Sequence, residues 1–223
     1  MLLKKLRLTN FGCFFGEWEF HFKEGFNLVL GPGGTGKTIL VNAFKFAVLR
    51  QTELPIADLI NSQHKEQCLG KGCRVFGGAE ATVQYEGKEY LAKNEVSLNE
   101  KGEIAQSSLV PLKLAEILTP TRFECLHLTP RLDWETEVRT EEAISKRLTF
   151  AIAKRLLTNI RLGLRMAIIE DVLGFMTGKE REDLIVLIRK MNLDQVIFLT
   201  KYADQAVSLI DELKVIVLDA KED

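Results

Sequence analysis

The sequence predicts an α/β fold with a mixed central sheet, an antiparallel β subdomain and a helical segment. Three observations carry this. Gly31 to Thr38 reads G-P-G-G-T-G-K-T, the P-loop pattern G-x-x-x-x-G-K-[ST], set between a short apolar run and a Gly/Pro-free stretch. Near the amino end, Trp18, Phe20 and Phe22 alternate with Glu17, Glu19 and His21, the period of two of a half-buried strand. From Thr140 onward, helical periods alternate with short apolar runs, which implies parallel strands joined by crossover helices.

Taken in order, Leu3 to Leu8 and Glu17 to Phe22 read as strands, and Lys23-Glu24-Gly25 turns into a strand over Phe26 to Leu30. Thr38 to Arg50 suits a buried helix. Gln51 to Gly78 is turn-rich. Ala79 to Tyr85 and Glu89 to Lys93, separated by Glu86-Gly87-Lys88, read as a hairpin. Asn94 to Ser108 is polar and reads as loop. Leu109 to Leu118 is a short helix stopped by Pro120, and Arg122 to Leu128 reads as a strand. Thr140 to about Leu157 starts like a capped helix. Met166 to Ile169 is a buried strand that runs into Glu170-Asp171. Lys179 to Met191 is a helix, Gln195 to Leu199 a strand, Asp204 to Leu213 a helix and Lys214 to Asp219 a final strand.

Composition narrows the class. At 223 residues the chain has room for one large α/β domain or two small ones. A formal net charge of -1 leaves no overall electrostatic footprint for nucleic acid. No apolar run reaches membrane-spanning length, and Met1-Leu2-Leu3 runs into Lys4-Lys5 without a signal-peptide core, so a cytoplasmic protein with reduced thiols is expected. His64, Cys68 and Cys73 form an H-x3-C-x4-C cluster. It has only three close soft ligands and lacks C-x2-C spacing, which favours a plain loop over a metal site.

The P-loop residues explain themselves chemically. Glycine lets backbone N–H groups approach anionic oxygens, and the following helix adds unpaired N–H groups and the positive end of its dipole. Gly31, Pro32, Gly33, Gly34, Thr35, Gly36, Lys37 and Thr38 are therefore the expected nucleotide contacts. Lys37 would reach the β- and γ-phosphates, and the Thr38 hydroxyl would ligate Mg²⁺.

The first fifty residues resemble the amino-terminal lobe of the SMC and RecF group, the DNA-maintenance branch of the ABC-type ATPases. The likeness rests on Leu6-x-Leu8-x-Asn10-Phe11, the aromatic strand, Gly25 ahead of the P-loop strand, the loop itself and the small-residue-rich helix behind it. Ala79-x-Ala81-x-Val83 with Gly87-Lys88-Glu89-Tyr90 is similar to the accessory hairpin of these heads. The resemblance implies a P-loop NTPase of ABC-ATPase type with ATP and Mg²⁺ as ligands. It implies one head over 1–223, with a P-loop lobe at 1–135 and a helical, signature-like segment with the Walker B lobe at 136–223. Asn10 joins the nucleotide contacts on the same ground. Too few residues separate Lys37 from Glu170 for a long coiled coil, so a stand-alone head is expected.

Glu170-Asp171 falls where the group carries Asp-Glu, with the order inverted. The resemblance makes Glu170 the Mg²⁺ carboxylate and Asp171 the partner of the attacking water, so Lys37, Glu170 and Asp171 are the catalytic candidates. Other landmarks are replaced. No Gln occurs between Gln106 and Gln195, and Ile144-Ser145-Lys146-Arg147 stands in for the signature Leu-Ser-Gly-Gly. Lys201 stands for the switch histidine and Thr177 for an Asp of the dimer-contact loop. Together these imply slow or partner-dependent hydrolysis in DNA repair, recombination or chromosome handling. The head would form an ATP-dependent homodimer or bind a partner protein, with DNA implied by resemblance alone. The alternative is a non-hydrolysing, nucleotide-gated switch that recruits a protein. A transporter subunit is disfavoured by the missing signature and glutamine. Lys146, Arg147, Lys154, Arg155, Arg161 and Arg165 read first as a solvated helix face.

Overall fold

The computed structural model describes residues 1–52, 54–99, 101, 103–130, 141–201, 210 and 212–219. In chain order its strands are β1 (Leu2–Phe11), β2 (Phe14–His21), β3 (Gly25–Leu30), β4 (Val75–Tyr85), β5 (Lys88–Leu98), β6 (Ile104–Leu109), β7 (His127–Leu128), β8 (Met166–Glu170), β9 (Gln195–Thr200) and β10 (Leu213–Val217). The helices are α1 (Lys37–Leu49), α2 (Ser62–Cys68), α3 (Leu112–Ile117), α4 (Pro120–Leu126), α5 (Glu141–Arg161) and α6 (Gly178–Lys190). Two compact units interleave along the chain. One holds Met1–Leu2, Lys23–Lys37 and Thr121–Asp223, and the other holds Leu3–Phe22 and Thr38–Pro120.

The first unit is built on a parallel sheet of five strands among the described residues, in the order β10-β3-β9-β8-β7. Every residue of β8 and β9 is buried, as expected for parallel strands covered on both faces. Helix α5 contributes Leu148, Ile152 and Leu156, at four-residue spacing, to the same core as Leu28, Ile169 and Phe198. Helix α6 adds Leu184, Ile185 and Ile188. Its start is set by a capping box in which Glu180 Oε2 accepts from Thr177 N at 2.8 Å.

One polar residue interrupts the apolar run of β3. Asn27 is fully buried, and its side chain closes the turn before the strand: Oδ1 accepts from Lys23 N and Nδ2 donates to Lys23 O, both at 2.8 Å. The buried amide of Gln195 donates to the same Lys23 carbonyl at 2.9 Å.

The second unit holds the antiparallel sheet, ordered β2-β1-β4-β5-β6. The expected hairpin is present and longer than its alternating core suggested, pairing Val75 with Leu98 through to Tyr85 with Lys88. Glu86 and Gly87 both have positive φ, 49° and 75°, the geometry of a tight turn matched to strand twist. Trp18 departs from the half-buried pattern. It is 40% exposed, lies on Phe20 with ring centroids 6.3 Å apart, and donates from Nε1 to Phe15 O at 2.9 Å.

Two expectations are corrected. Asn94 to Ser108 is not a loop: it supplies the end of β5 and most of β6. Its polar residues pair with one another, the buried Asn94 donating to Phe46 O at 3.1 Å and accepting from Gln106 Nε2 at 3.1 Å. Arg122 to Leu128 is not a strand throughout. Pro120 opens helix α4, Phe123 and Leu126 bury one face at helical spacing, and only His127–Leu128 pair into the sheet. The helix expected over Asp204 to Leu213 falls largely on 202–209, outside the described residues, and Leu213 itself opens β10.

Replacing Asn27 by Ala leaves the Lys23 backbone N–H without its acceptor, while the Lys23 carbonyl keeps only the Gln195 amide. Denaturant melts are expected to show a loss of about 1–3 kcal/mol. A loss below about 0.3 kcal/mol would contradict this role for Asn27.

Candidate phosphate-binding site

Register decides which residues meet. In the parallel sheet Leu30 lies level with Thr200, and Leu199 lies level with Glu170. The chain leaves all three strands at that level. Gly31 N donates to Thr200 O at 3.2 Å and Asp171 N donates to Leu199 O at 2.8 Å. The P-loop, the Glu170-Asp171 pair and Lys201 therefore emerge together at the carboxyl ends of β3, β8 and β9, where open parallel sheets bind ligands.

The glycines of the loop have different reasons. Gly31 is required by packing, since a Cβ there would lie 2.4 Å from Thr35 Oγ1 and 2.8 Å from Leu218 O. Gly34 and Gly36 are required by conformation, with φ of 85° and 99°. A Cβ on Gly33 or Gly34 would meet nothing within 4 Å, so this side of the loop faces open space. Thr35 Oγ1 donates to Pro32 O at 3.0 Å and braces the turn. Lys37 is 6% exposed, and its ammonium donates to Gly31 O and Pro32 O, each at 2.7 Å. Thr38 follows it in helix α1.

The acidic pair splits by environment. Glu170 is buried at 6% exposure, with Oε2 2.7 Å from His127 Nε2. Asp171 sits just past the strand at φ 51°, in the left-handed region that aspartate enters more readily than most side chains. Its Oδ1 is buried and has no hydrogen-bond partner among the described residues. Burial pushes the Asp171 carboxyl above its ordinary range, against the pull of Lys37, with Glu170 pushing the same way and Lys201 pulling down. An orphaned carboxylate oxygen, a second buried carboxylate, a buried ammonium and an open glycine loop fit a phosphate chain carried with a divalent cation.

The remaining candidates scatter. Asn10 lies in the other unit at φ 47°, where its Oδ1 accepts from Gly16 N at 2.9 Å and its carbonyl accepts from Asn61 N at 2.7 Å. Thr177 caps helix α6. Two of the basic residues serve the fold: Arg155 Nη1 donates to Glu124 O at 3.2 Å, and Arg165 Nε lies 3.0 Å from Asp194 Oδ1. The side chains of Lys146 and Arg147, and the segment 131–140, lie outside the described residues. His64 Nε2 meets Arg74 O at 3.2 Å, His64 Nδ1 lies 3.8 Å from Cys68 Sγ, and the Cys68 thiol is pushed up by its hydrogen bond with Cys73. Among the described residues no group of three or more His, Cys, Asp or Glu could hold a metal, and no helix is long and apolar enough to cross a membrane. His127 is the site residue that sequence reasoning missed. Its only signal was a place on a strand that β8 would have to adopt as neighbour.

A family profile described as an AAA domain matches residues 5–222. The chain is 28% identical over 120 residues to the DNA double-strand break repair Rad50 ATPase of Nanoarchaeum equitans, covering 52% of this chain and 14% of that protein. It is 31% identical over 88 residues to the chromosome partition protein Smc of Rhodopirellula baltica, covering 38% and 7%. The chain thus spans only a small part of the length of these curated relatives. The SMC head domain from Thermotoga maritima superposes with a TM-score of 0.62 at 15% identity, over 96% of this chain and 94% of that one, a likeness of fold. The chain belongs to the AAA domain family and carries the fold of an SMC head.

Proposed function

We propose that the chain is an ATP-binding head in which Gly31 to Thr38 hold the nucleotide, with hydrolysis slow or dependent on a partner. The observation that carries this reading is the convergence of Lys37, Glu170 and Asp171 at one end of the parallel sheet, with Asp171 Oδ1 buried and without a hydrogen-bond partner among the described residues. Bound Mg²⁺ would neutralise charge on the phosphate oxygens, with the Thr38 hydroxyl and Glu170 as its protein ligands. Lys37 would exchange its loop carbonyls for phosphate oxygens. Asp171 would accept a hydrogen bond from the attacking water. Its arm is one methylene shorter than a glutamate's, a change of about 1.5 Å, and misplacement of about 1 Å can cost ~100-fold in rate. That supports slow turnover. The names of the relatives, a double-strand break repair ATPase and a chromosome partition protein, support a place in DNA repair or chromosome maintenance. A single head over 1–223, closing on a second copy or on another protein when ATP is bound, suits this assignment. The non-hydrolysing switch is the same site with turnover absent.

Equilibrium dialysis with labelled ATP and Mg²⁺ is expected to show binding by the wild type and its loss in Lys37→Ala. No binding by the wild type, or full binding by the variant, would sink the assignment. Phosphate release, where present, is expected to fall by ~100-fold or more in Asp171→Asn, in line with the loss of a positioned proton acceptor. Unchanged release would remove Asp171 from the chemistry.

Asp171 also gives a check that needs no nucleotide. Its carboxyl is raised in the fold, so the folded chain holds a proton that the unfolded chain releases, and stability drops as pH rises through that interval. In metal-free buffer Asp171→Asn is expected to melt above the wild type at pH 8. The gap should close once the pH falls below about 3.9, the unfolded carboxyl's value. A variant that melts below the wild type at pH 8 would show that ion pairing, not burial, dominates at this carboxylate.

A further inference from the structure

The assigned metal carboxylate is a glutamate, and a glutamate carries one more rotatable bond than an aspartate. Left alone, its head would sweep a wider arc and hold a cation poorly. The sheet supplies a restraint. Strand β7 pairs parallel with β8 so that His127 lies level with Ile168. Ile168 and Glu170 are two residues apart on one strand and so share a face of the sheet. The His127 imidazole therefore reaches forward along that face, and Nε2 comes within 2.7 Å of Glu170 Oε2. Neither side chain is open to much solvent, at 19% exposure for His127 and 8% for Glu170. The backbone at His127 is held in turn, since Arg155 Nη1 of α5 donates to the carbonyls of Glu124 at 3.2 Å and His127 at 3.5 Å.

We infer that His127 is a positioning residue for the nucleotide-bound cation, fixing one oxygen of Glu170 so that the carboxylate is presented to Mg²⁺ in one orientation. This rests on the reading of Glu170 as the metal carboxylate. An ionised carboxylate only accepts, so Nε2 carries the hydrogen and the ring donates. A hydrogen bond to a charged acceptor, made where water is largely excluded, is among the stronger ones available. Outer-shell partners of this kind hold ligands in place, and their loss costs about 10–100-fold in metal affinity. The arrangement also accounts for glutamate in a position where the resemblance implies aspartate. The longer arm is tolerated because a neighbouring strand holds its end.

The test uses the full chain with saturating ATP, Mn²⁺ as the spectroscopic stand-in for Mg²⁺, and two substitutions of similar length. His127→Met removes the N–H donor, and His127→Gln keeps one. Electron paramagnetic resonance titration is expected to show Mn²⁺ affinity reduced by about 10–100-fold in His127→Met and largely restored in His127→Gln, with ATP affinity in EDTA unchanged in both. Mn²⁺ affinity within twofold of wild type in His127→Met, or equal weakening in both variants, would overturn the inference while leaving the nucleotide site intact. A wild type that binds no ATP overturns the proposed function and this inference together, and it is seen before any variant is made.

Discussion

The parallel pairing of β3, β9 and β8 is the constraint on which the site depends. Leu30, Thr200 and Glu170 end their strands within one residue of a common level, so a loop rich in N–H donors and two carboxylates are delivered to the same edge. A slip of one residue in either pairing would turn the strand over and send Glu170 to the opposite face. Burial prevents that slip. With all of β8 and β9 covered on both sides, register is held by the packing of Ile169, Val196 and Phe198 against α5 and α6.

Gathering charge at this edge carries an electrostatic cost, and the structure shows how it is met. Lys37 is almost fully withdrawn from solvent and is accommodated by two loop carbonyls, which point their dipoles at its ammonium. Glu170 is accommodated by the His127 imidazole. Asp171 is the member left short: buried at one oxygen and unmatched there by any donor among the described residues. An unpaired buried acceptor beside an open loop is costly unless something else completes it. A buried acceptor left unmet is a feature that calls for an explanation such as a bound ion or a catalytic role.

Several elements were legible because their signals are local. The P-loop is a contiguous run whose glycines, lysine and threonine declare themselves. The alternation of apolar runs and helical periods after Thr140 implied the parallel sheet, and the Glu86-Gly87 turn marked the hairpin of the antiparallel sheet. The misreadings have one cause. The stretch Asn94 to Ser108 looked like loop because its polar residues were judged alone, when Asn94 and Gln106 satisfy each other across two strands. Arg122 to Leu128 looked like strand because the burial of Phe123 and Leu126 on one helical face depends on what packs there.

The amino-acid sequence by itself determined the phosphate-binding loop, the class of fold and the identity of the acidic pair, since each is written in neighbouring residues whose backbone preferences or spacing are set locally. Tertiary structure alone decided that Glu170 meets His127, that Asp171 Oδ1 is buried without a hydrogen-bond partner among the described residues, and that Asn27 is a buried brace. These depend on which strands lie side by side and at what level, and residues far apart in the chain carry no local trace of that choice.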